Sequence, residues 1–444
     1  MFKHNFMKDK NFILLFFGNL VSGVGSRIHG FGISLFLLDL TGKASSMATY
    51  IALWTFIIFV MGPIAATFTD RWKQKVKVLY VTDFGRGAIY LLSALGVYYF
   101  TSIGNEPMVL TTIYSLLVFI AVQTAFFSPA VTSLIPQLVE SEELVSASSI
   151  MQITRSIQNI AGLFLGALLY LNFGIVILMI INAVSFILSA ISEMFITNKV
   201  PKNLHRLNNG EVEEVIYSEN KLVHEAKRVY YDLKEAVIYI FRDAKPILMV
   251  TLIILVSSTL VGPWFSIGVP YMIKEYFTFN SFKPEYILAS SEFIESIGVI
   301  LASLIVASVA KKFKIYQLFR FGGLAFATIG IIYFVVIRSF DTAVITENWF
   351  LILFMSTNFI AGMVNAVINA PMQAALQKYI DPNKIGKVVM IIDSFGGLLF
   401  PLTALLAGYL IDYHSLYYPM MMMISAMFIM TFISFKSKAL KELI

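Results

Sequence analysis

The chain has 444 residues, of which 58% are hydrophobic and only 14% charged. Soluble domains carry ~25% charged residues, so an ordinary water-soluble globule is excluded, and the absence of cysteine excludes disulfides and thiolate metal sites. The formal net charge of +6 does not by itself point to nucleic acid, because in a membrane protein the placement of basic residues matters more than their sum.

Apolar runs recur at the length an α-helix needs to cross a bilayer, ~20 residues for ~30 Å of hydrocarbon. Twelve are predicted, at 12–38, 46–68, 77–100, 108–129, 144–171, 174–196, 246–273, 286–309, 315–337, 349–371, 385–411 and 415–435. The first is long, lacks a small-residue cleavage site and is followed by many more. It is expected to be a retained span, not a cleaved leader.

Span 1 carries a polar stripe at helical spacing: Asn19, Gly23, Arg27, Gly30 and Ser34. Between spans 2 and 3 comes "GPIAATFTDRWKQKVKVL" (62–79), in which an aspartate, an arginine and three lysines fall between Asp70 and Lys77. In span 3, Asp83 and Arg86 lie three apart on one helix face and can neutralise each other. Span 5 repeats the stripe with Gln152, Arg155, Asn159, Gly162 and Gly166, and span 10 does so with Asn358, Gly362, Asn365, Asn369 and Gln373. Polar stripes on membrane helices face the bundle interior or a water-filled cavity, and small residues at these spacings also form packing grooves. The glycines read as packing positions. The polar residues Asn19, Arg27, Gln152, Arg155, Asn159, Asn358, Asn365 and Asn369 read as a candidate substrate cavity.

Residues 197–245 form the longest polar interruption, with nine basic and eight acidic residues. Leu222, Ala226, Val229, Leu233, Val237 and Ile240 share one helical stripe there. The segment is either an amphipathic helix on the membrane surface or an extension leading into span 7. It divides the chain into an N-terminal six-helix bundle (1–196) and a C-terminal one (246–444). In span 8, Glu292 and Glu295 share a face. Carboxyls that share a low-dielectric site hold protons more tightly, by repulsion and desolvation, so the pair is a candidate proton-coupling site. Alternatively it neutralises Arg27 or Arg155. Asp393 in span 11 is a second coupling candidate, or a partner at the seam between halves.

The halves echo each other: "SPAVTSLIPQLV" (128–139) and "APMQAALQKYI" (370–380) each follow the fourth span of their half. Two related six-span halves are the sequence mark of a secondary transporter, whose substrate site lies between them near mid-membrane. "GPIAATFTDRWKQK" resembles the loop 2–3 signature of the major facilitator superfamily, with Ala66 and Lys73 where that family carries glycine. "VTDFGRGAI" (81–89) and "FFSPAVTSLIPQLVESEELVSASSI" (126–150) resemble its bacterial drug-efflux branch, which includes macrolide efflux proteins and enterobactin exporters. The span 5 antiporter signature appears as "AGLFLGAL", without its usual proline.

The resemblance implies an all-α membrane protein of twelve helices in two pseudo-symmetric bundles, exporting an amphipathic, drug-like or macrolide-like molecule by proton antiport. It implies a cytoplasmic latch in which Asp70 caps or pairs across the seam, with Arg71 and Lys75 beside it and Asp83 and Arg86 as its structural partners. A siderophore or lipid exporter of the same fold is the alternative. A membrane enzyme or receptor is disfavoured, for want of a nucleophile–base pair, a metal-ligand cluster or a sizeable soluble domain. No nucleotide-binding loop appears, so no cofactor is expected beyond a proton gradient. The expected partners are a small amphipathic substrate and the bilayer, with no nucleic acid and a monomeric chain.

The termini and the loops after even-numbered spans hold most of the basic residues, against Lys43, Lys274, Lys283 and Arg338 on the other side. Excess basic charge marks the cytoplasmic face, so both termini and the 197–245 connector are expected on the inner side of a bacterial-type cytoplasmic membrane. Single cysteines placed at Ser218 and Ser437 should therefore resist an impermeant thiol reagent in intact cells. Ready labelling of either would reverse the topology.

Overall fold

The computed structural model describes residues 8–71, 74–139, 143–197, 245–310, 315–379 and 385–438. Among the described residues the regular structure is helical, with no strand. The helices are α1 (Lys10–Thr41), α2 (Ala44–Arg71), α3 (Lys75–Ser102), α4 (Glu106–Leu138), α5 (Leu144–Met194), α6 (245–276), α7 (Pro284–Ala310), α8 (Ile315–Asp341), α9 (Glu347–Tyr379), α10 (Ile385–Tyr413) and α11 (Tyr417–Lys436). All eleven contain a stretch long and apolar enough to cross a membrane.

Helix α5 accounts for two crossings. Its 51 residues would reach about 76 Å at 1.5 Å per residue, far more than one bilayer needs. The helix breaks at Gly174, where φ is 69° and ψ −179°, a conformation that costs an L side chain dearly and glycine little. Packing against α1 shows that the chain turns back there. Gly18, Gly25 and Gly32 of α1 abut Ser189, Ser185 and Leu178 in turn, whereas Gly23 and Arg27 abut Gln158 and Gly162. The limb 144–173 thus runs parallel to α1 and the limb 175–194 antiparallel to it. Twelve crossings result, as the apolar runs predict.

The chain divides into two compact units, Met1–Thr41 with Leu53–Glu214, and Gly42–Ala52 with Val215–Ile444. In the first, α1 lies between the two limbs of α5, and α3 packs on α4 and on α5. In the second, α8 likewise packs on α9 and α11, and α7 on α9. The third span of each half therefore packs on its fourth and sixth, which is the internal repeat expressed as packing. The proposed amphipathic helix of the 197–245 connector lies outside the described residues.

Local chemistry fixes the helix ends. The Asn105 side chain accepts from the Met108 N–H at 3.2 Å, with Pro107 in the first turn of α4, a donor-satisfying cap. In the second unit, the Asp412 carboxylate accepts from the Ala44 and Ser45 N–H groups at 2.8 and 3.0 Å, placing negative charge on the positive end of α2. Arg320 donates to the Ser434 and Phe435 carbonyls, both at 3.0 Å, which ties the start of α8 to the last turn of α11. Helix α6 widens into π turns at Ser257–Val261, Trp264–Gly268 and Met272–Tyr276. Pro263 and Pro270 offer no N–H to an α-helical ladder, and such adjustments re-satisfy the freed carbonyls.

In the second unit α7 and α9 approach closely at two glycines. A side chain at Gly298 would strike the Phe359 carbonyl, and one at Gly362 the Glu295 carbonyl. Both obstacles are backbone and cannot swing away. Gly362→Leu should therefore lower the melting temperature of the purified protein by several degrees, an overpacking cost of ~1–3 kcal/mol. Gly30→Ala, with nothing within 4 Å, should not lower it. Equal behaviour of the two variants in a thermal unfolding assay would refute the crossing.

Candidate functional site

Within the first unit a cavity of about 590 Å³ opens between α2 and α4. Trp54, Ile58 and Gly62 line it from α2, and Thr124, Ala125, Ser128, Pro129, Thr132 and Ser133 from α4. Thr124, Ser128 and Thr132 recur every fourth residue, so their hydroxyls fall on one helix face. Thr124 donates to the Ile120 carbonyl at 2.8 Å, Thr132 to Ser128 at 3.0 Å and Ser133 to Ala130 at 3.2 Å. With those protons committed to the helix, the oxygens are left to accept. Among the described residues no charged side chain is in the lining. Such a wall suits an uncharged, largely apolar molecule that carries hydrogen-bond donors.

The other candidate cavity residues of the first unit fall on α1 and the first limb of α5. Asn19 is half-buried, and Gln158 donates to its carbonyl at 2.8 Å and to its side-chain oxygen at 3.2 Å. Arg27, Arg155 and Asn159 are exposed on the unit. The Cβ and backbone of Arg27 press on Gly162, so the guanidinium projects from a helix contact that glycine makes possible. The side chain of Gln152 is outside the described set.

In the second unit Glu292 and Glu295 are both half-buried on α7. Glu295 stands at the α7–α9 crossing, its carbonyl against Gly362, and within electrostatic reach of Tyr333. Tyr333 donates to the Asn358 side-chain oxygen at 2.7 Å, and the Asn358 amide donates to the Phe354 carbonyl at 2.8 Å. Asn358 is buried and joins α8 to α9. One turn on from Gly362 the surface becomes polar: Asn365 is half-buried, Asn369 is exposed, and the two amides are hydrogen-bonded to each other. Asp393 lies in α10, and its side chain is outside the described set.

Of the latch residues, Asp70 and Arg71 end α2 and Lys75 begins α3. The side chains of Asp70 and Arg71 are outside the described set. Asp83 and Arg86 are buried and ion-paired at 3.0 Å. Arg86 also donates to the Gln123 carbonyl at 3.3 Å and lies over the Phe127 ring at 4.4 Å. This pair sits inside the first unit.

Sequence reasoning missed two features. The hydroxyl stripe of span 4 has the same fourfold spacing as the stripes of spans 1, 5 and 10, and the same test would have found it. Glu193 is wholly buried beside Asp83 and Arg86. Its place in the last turn of a span, where charge is ordinary, concealed it. Trp264 of span 7 is fully buried in the core, whereas Trp54 of span 2 lines the cavity. Among the described residues no group of three His, Asp or Glu side chains could hold a metal ion.

Twelve crossings among the described residues, paired packing in each half and an apolar, hydroxyl-lined cavity describe a membrane transporter. The pattern of the Major Facilitator Superfamily matches residues 15–399, and the chain belongs to that family. It is a multi-pass membrane transporter, not an enzyme. The uncharacterized MFS-type transporter YkuC of Bacillus subtilis (strain 168) is 26% identical over 96% of this chain and 93% of its own. Among solved structures, a bacterial homologue of the iron transporter ferroportin has a TM-score of 0.66 at 14% identity, over 97% of this chain and 98% of that one. The nucleoside transporter NupG also has a TM-score of 0.66 at 14% identity, over 97% and 99%. At such identities the likeness establishes the fold.

The exposure of Arg155 separates a transport role from a structural one. Arg155→Gln should leave membrane yield and melting temperature unchanged while lowering transport at least severalfold. A parallel loss of folded protein would mark the arginine as structural.

Proposed function

We propose that the chain exports an uncharged or weakly charged amphipathic small molecule across the cytoplasmic membrane in exchange for protons, by alternating access. The observation that carries this reading is the α2–α4 cavity. Among the described residues its wall combines an indole, aliphatic groups and acceptor hydroxyls without a formal charge, which favours apolar bulk with a few donors over phosphorylated or zwitterionic nutrients. Four of its residues, Ser128, Pro129, Thr132 and Ser133, belong to the 126–150 segment that resembles the drug-efflux branch.

A cycle of this kind needs a carboxyl that binds and releases a proton. Glu295 suits the role by its position: half-buried, at a helix crossing, with a tyrosine within electrostatic reach. Protonation there changes the charge at a contact where two helix backbones touch, so it can bias which arrangement of α7 and α9 is preferred. Glu292 on the same face and Asp393 on α10 are the competing positions. Asp70, with Arg71 and Lys75, serves as the cytoplasmic latch. A carboxylate that faces the N-terminus of another helix is worth ~0.3–2 kcal/mol, enough to bias two states of similar energy without freezing either.

Two assays test the reading. Cells that express the protein should survive higher concentrations of neutral amphipathic drugs than cells that lack it, and Trp54→Ala should narrow that range. In vesicles, Glu295→Gln should abolish pH-driven transport while sparing substrate binding and exchange. Full pH-driven transport by Glu292→Gln and Glu295→Gln, singly and together, would place the coupling elsewhere.

A further inference from the structure

The last turn of α5 holds a carboxyl that ordinary pairing does not explain. Glu193 is wholly buried, and neither of its oxygens has a hydrogen-bond partner among the described residues. It faces the Asp83–Arg86 pair of α3. The three groups lie within electrostatic reach, and the Ser189 hydroxyl stands beside both carboxyls without completing a well-formed bond to either. Phe127 and Phe186 flank the guanidinium at 4.4 and 5.1 Å. Phe12, Leu15, Leu79 and Ile196 pack beyond it toward the helix ends, where Asn11 exchanges hydrogen bonds with Thr197.

The charges around this site can be counted from every helix that surrounds it. Helix α3 brings Asp83, Arg86 and Tyr90, with Tyr80 half-buried and Lys75 and Lys77 six to eight residues before Asp83, or ~9–12 Å along the axis. Helix α4 has no ionisable residue between 115 and 139 and α1 has none between 11 and 26; at the start of α1, Asp9 accepts from the Asn11 N–H and Lys10 is exposed. Among the described residues the nearest imidazole, His29, faces Tyr90 at 3.3 Å. It lies 15 residues along α1 from Leu14, whose carbonyl accepts from Ser192 next to Glu193, a separation of ~22 Å. The second limb of α5 carries Glu193 alone. Among the described residues two carboxyls therefore share one guanidinium in a site closed to solvent, and a buried charge without a counter-charge is among the costliest arrangements a protein can hold.

Hydrogen bonding leads to the same result. Around the trio, Asp83 Oδ2, Gln123 Oε1 and both Glu193 oxygens are acceptors without a donor, and Arg86 Nε and Ser189 Oγ are donors without an acceptor; Asn182 Nδ2, also without an acceptor, lies eleven residues before Glu193, beside Tyr90. One added proton on a carboxyl turns four acceptors and two donors into three of each. We propose that Asp83 and Glu193 share a single bound proton, which makes the trio with Arg86 a neutral proton-binding site inside the first unit. It is separate from the Glu295 position and does not depend on the coupling assigned there.

Infrared spectroscopy of the purified protein in lipid nanodiscs at neutral pH tests this without substrate or gradient. The wild type should show one protonated-carboxyl C=O band that disappears in Glu193→Gln. The same band should disappear in Asp83→Asn, because the remaining carboxyl then pairs one-to-one with Arg86 and gives up the proton. Loss of ionised-carboxylate absorption instead in Glu193→Gln would overturn the proposal. So would survival of the band in Asp83→Asn, which would make Glu193 an independent neutral acid. Glu193→Gln preserves size and the neutral charge of the site, so it decides whether the site holds a proton even where Asp83→Asn folds poorly, and Asp83→Glu, which should keep the band, then stands in for the second variant.

Discussion

The close approach of α1 to both limbs of α5 is the contact on which the first unit depends. In hydrocarbon there is no hydrophobic drive to bring helices together, so packing and internal hydrogen bonds must do it. Glycines on both faces of α1 let the backbones meet, and the turn at Gly174 brings the two limbs to opposite sides of the same helix. The α7–α9 crossing at Gly298 and Gly362 plays the corresponding part in the second unit. Side chains that ring these contacts inherit their positions from them, Arg27 and Gln158 in one unit and Glu295 in the other.

Polar groups inside the spans follow a second constraint: in a membrane each must find its partner within the protein or line a cavity. Most hydroxyls bond back to their own helix, as Thr124 and Thr132 do. Amides bridge helices, as Asn358 does through Tyr333. Asp83, Arg86 and Glu193 are gathered into one closed site, whereas Arg155 and Asn159 stay on the surface of their unit. This division separates groups that hold a bundle together from groups available to a substrate, which residue type alone does not do.

Much of the fold was legible in the sequence, because bilayer thickness imposes one length on every span. The break between spans 5 and 6 was placed within a few residues of Gly174 by run length alone. The pairing of Asp83 with Arg86 follows from their spacing on one helix. Other features depend on contacts that no local pattern encodes. The π turns of α6 arise where two prolines meet tertiary packing. The burial of Trp264 depends on which face of α6 turns inward, and the proximity of Glu193 to Asp83 on the antiparallel run of α3 against the second limb of α5. The α4 hydroxyl stripe had a readable spacing, but serine and threonine bond back to any helix and so resemble filler.

The central claim is that this member of the Major Facilitator Superfamily moves an amphipathic molecule at the expense of a proton gradient. The direct measurement is flux of a neutral amphipathic dye through the purified protein in proteoliposomes, with an imposed pH difference and no nucleotide. The account predicts movement against the dye's own gradient, opposite in direction to the proton flow and abolished by a protonophore. Dye movement that only equilibrates, at a rate indifferent to the pH difference, would contradict it.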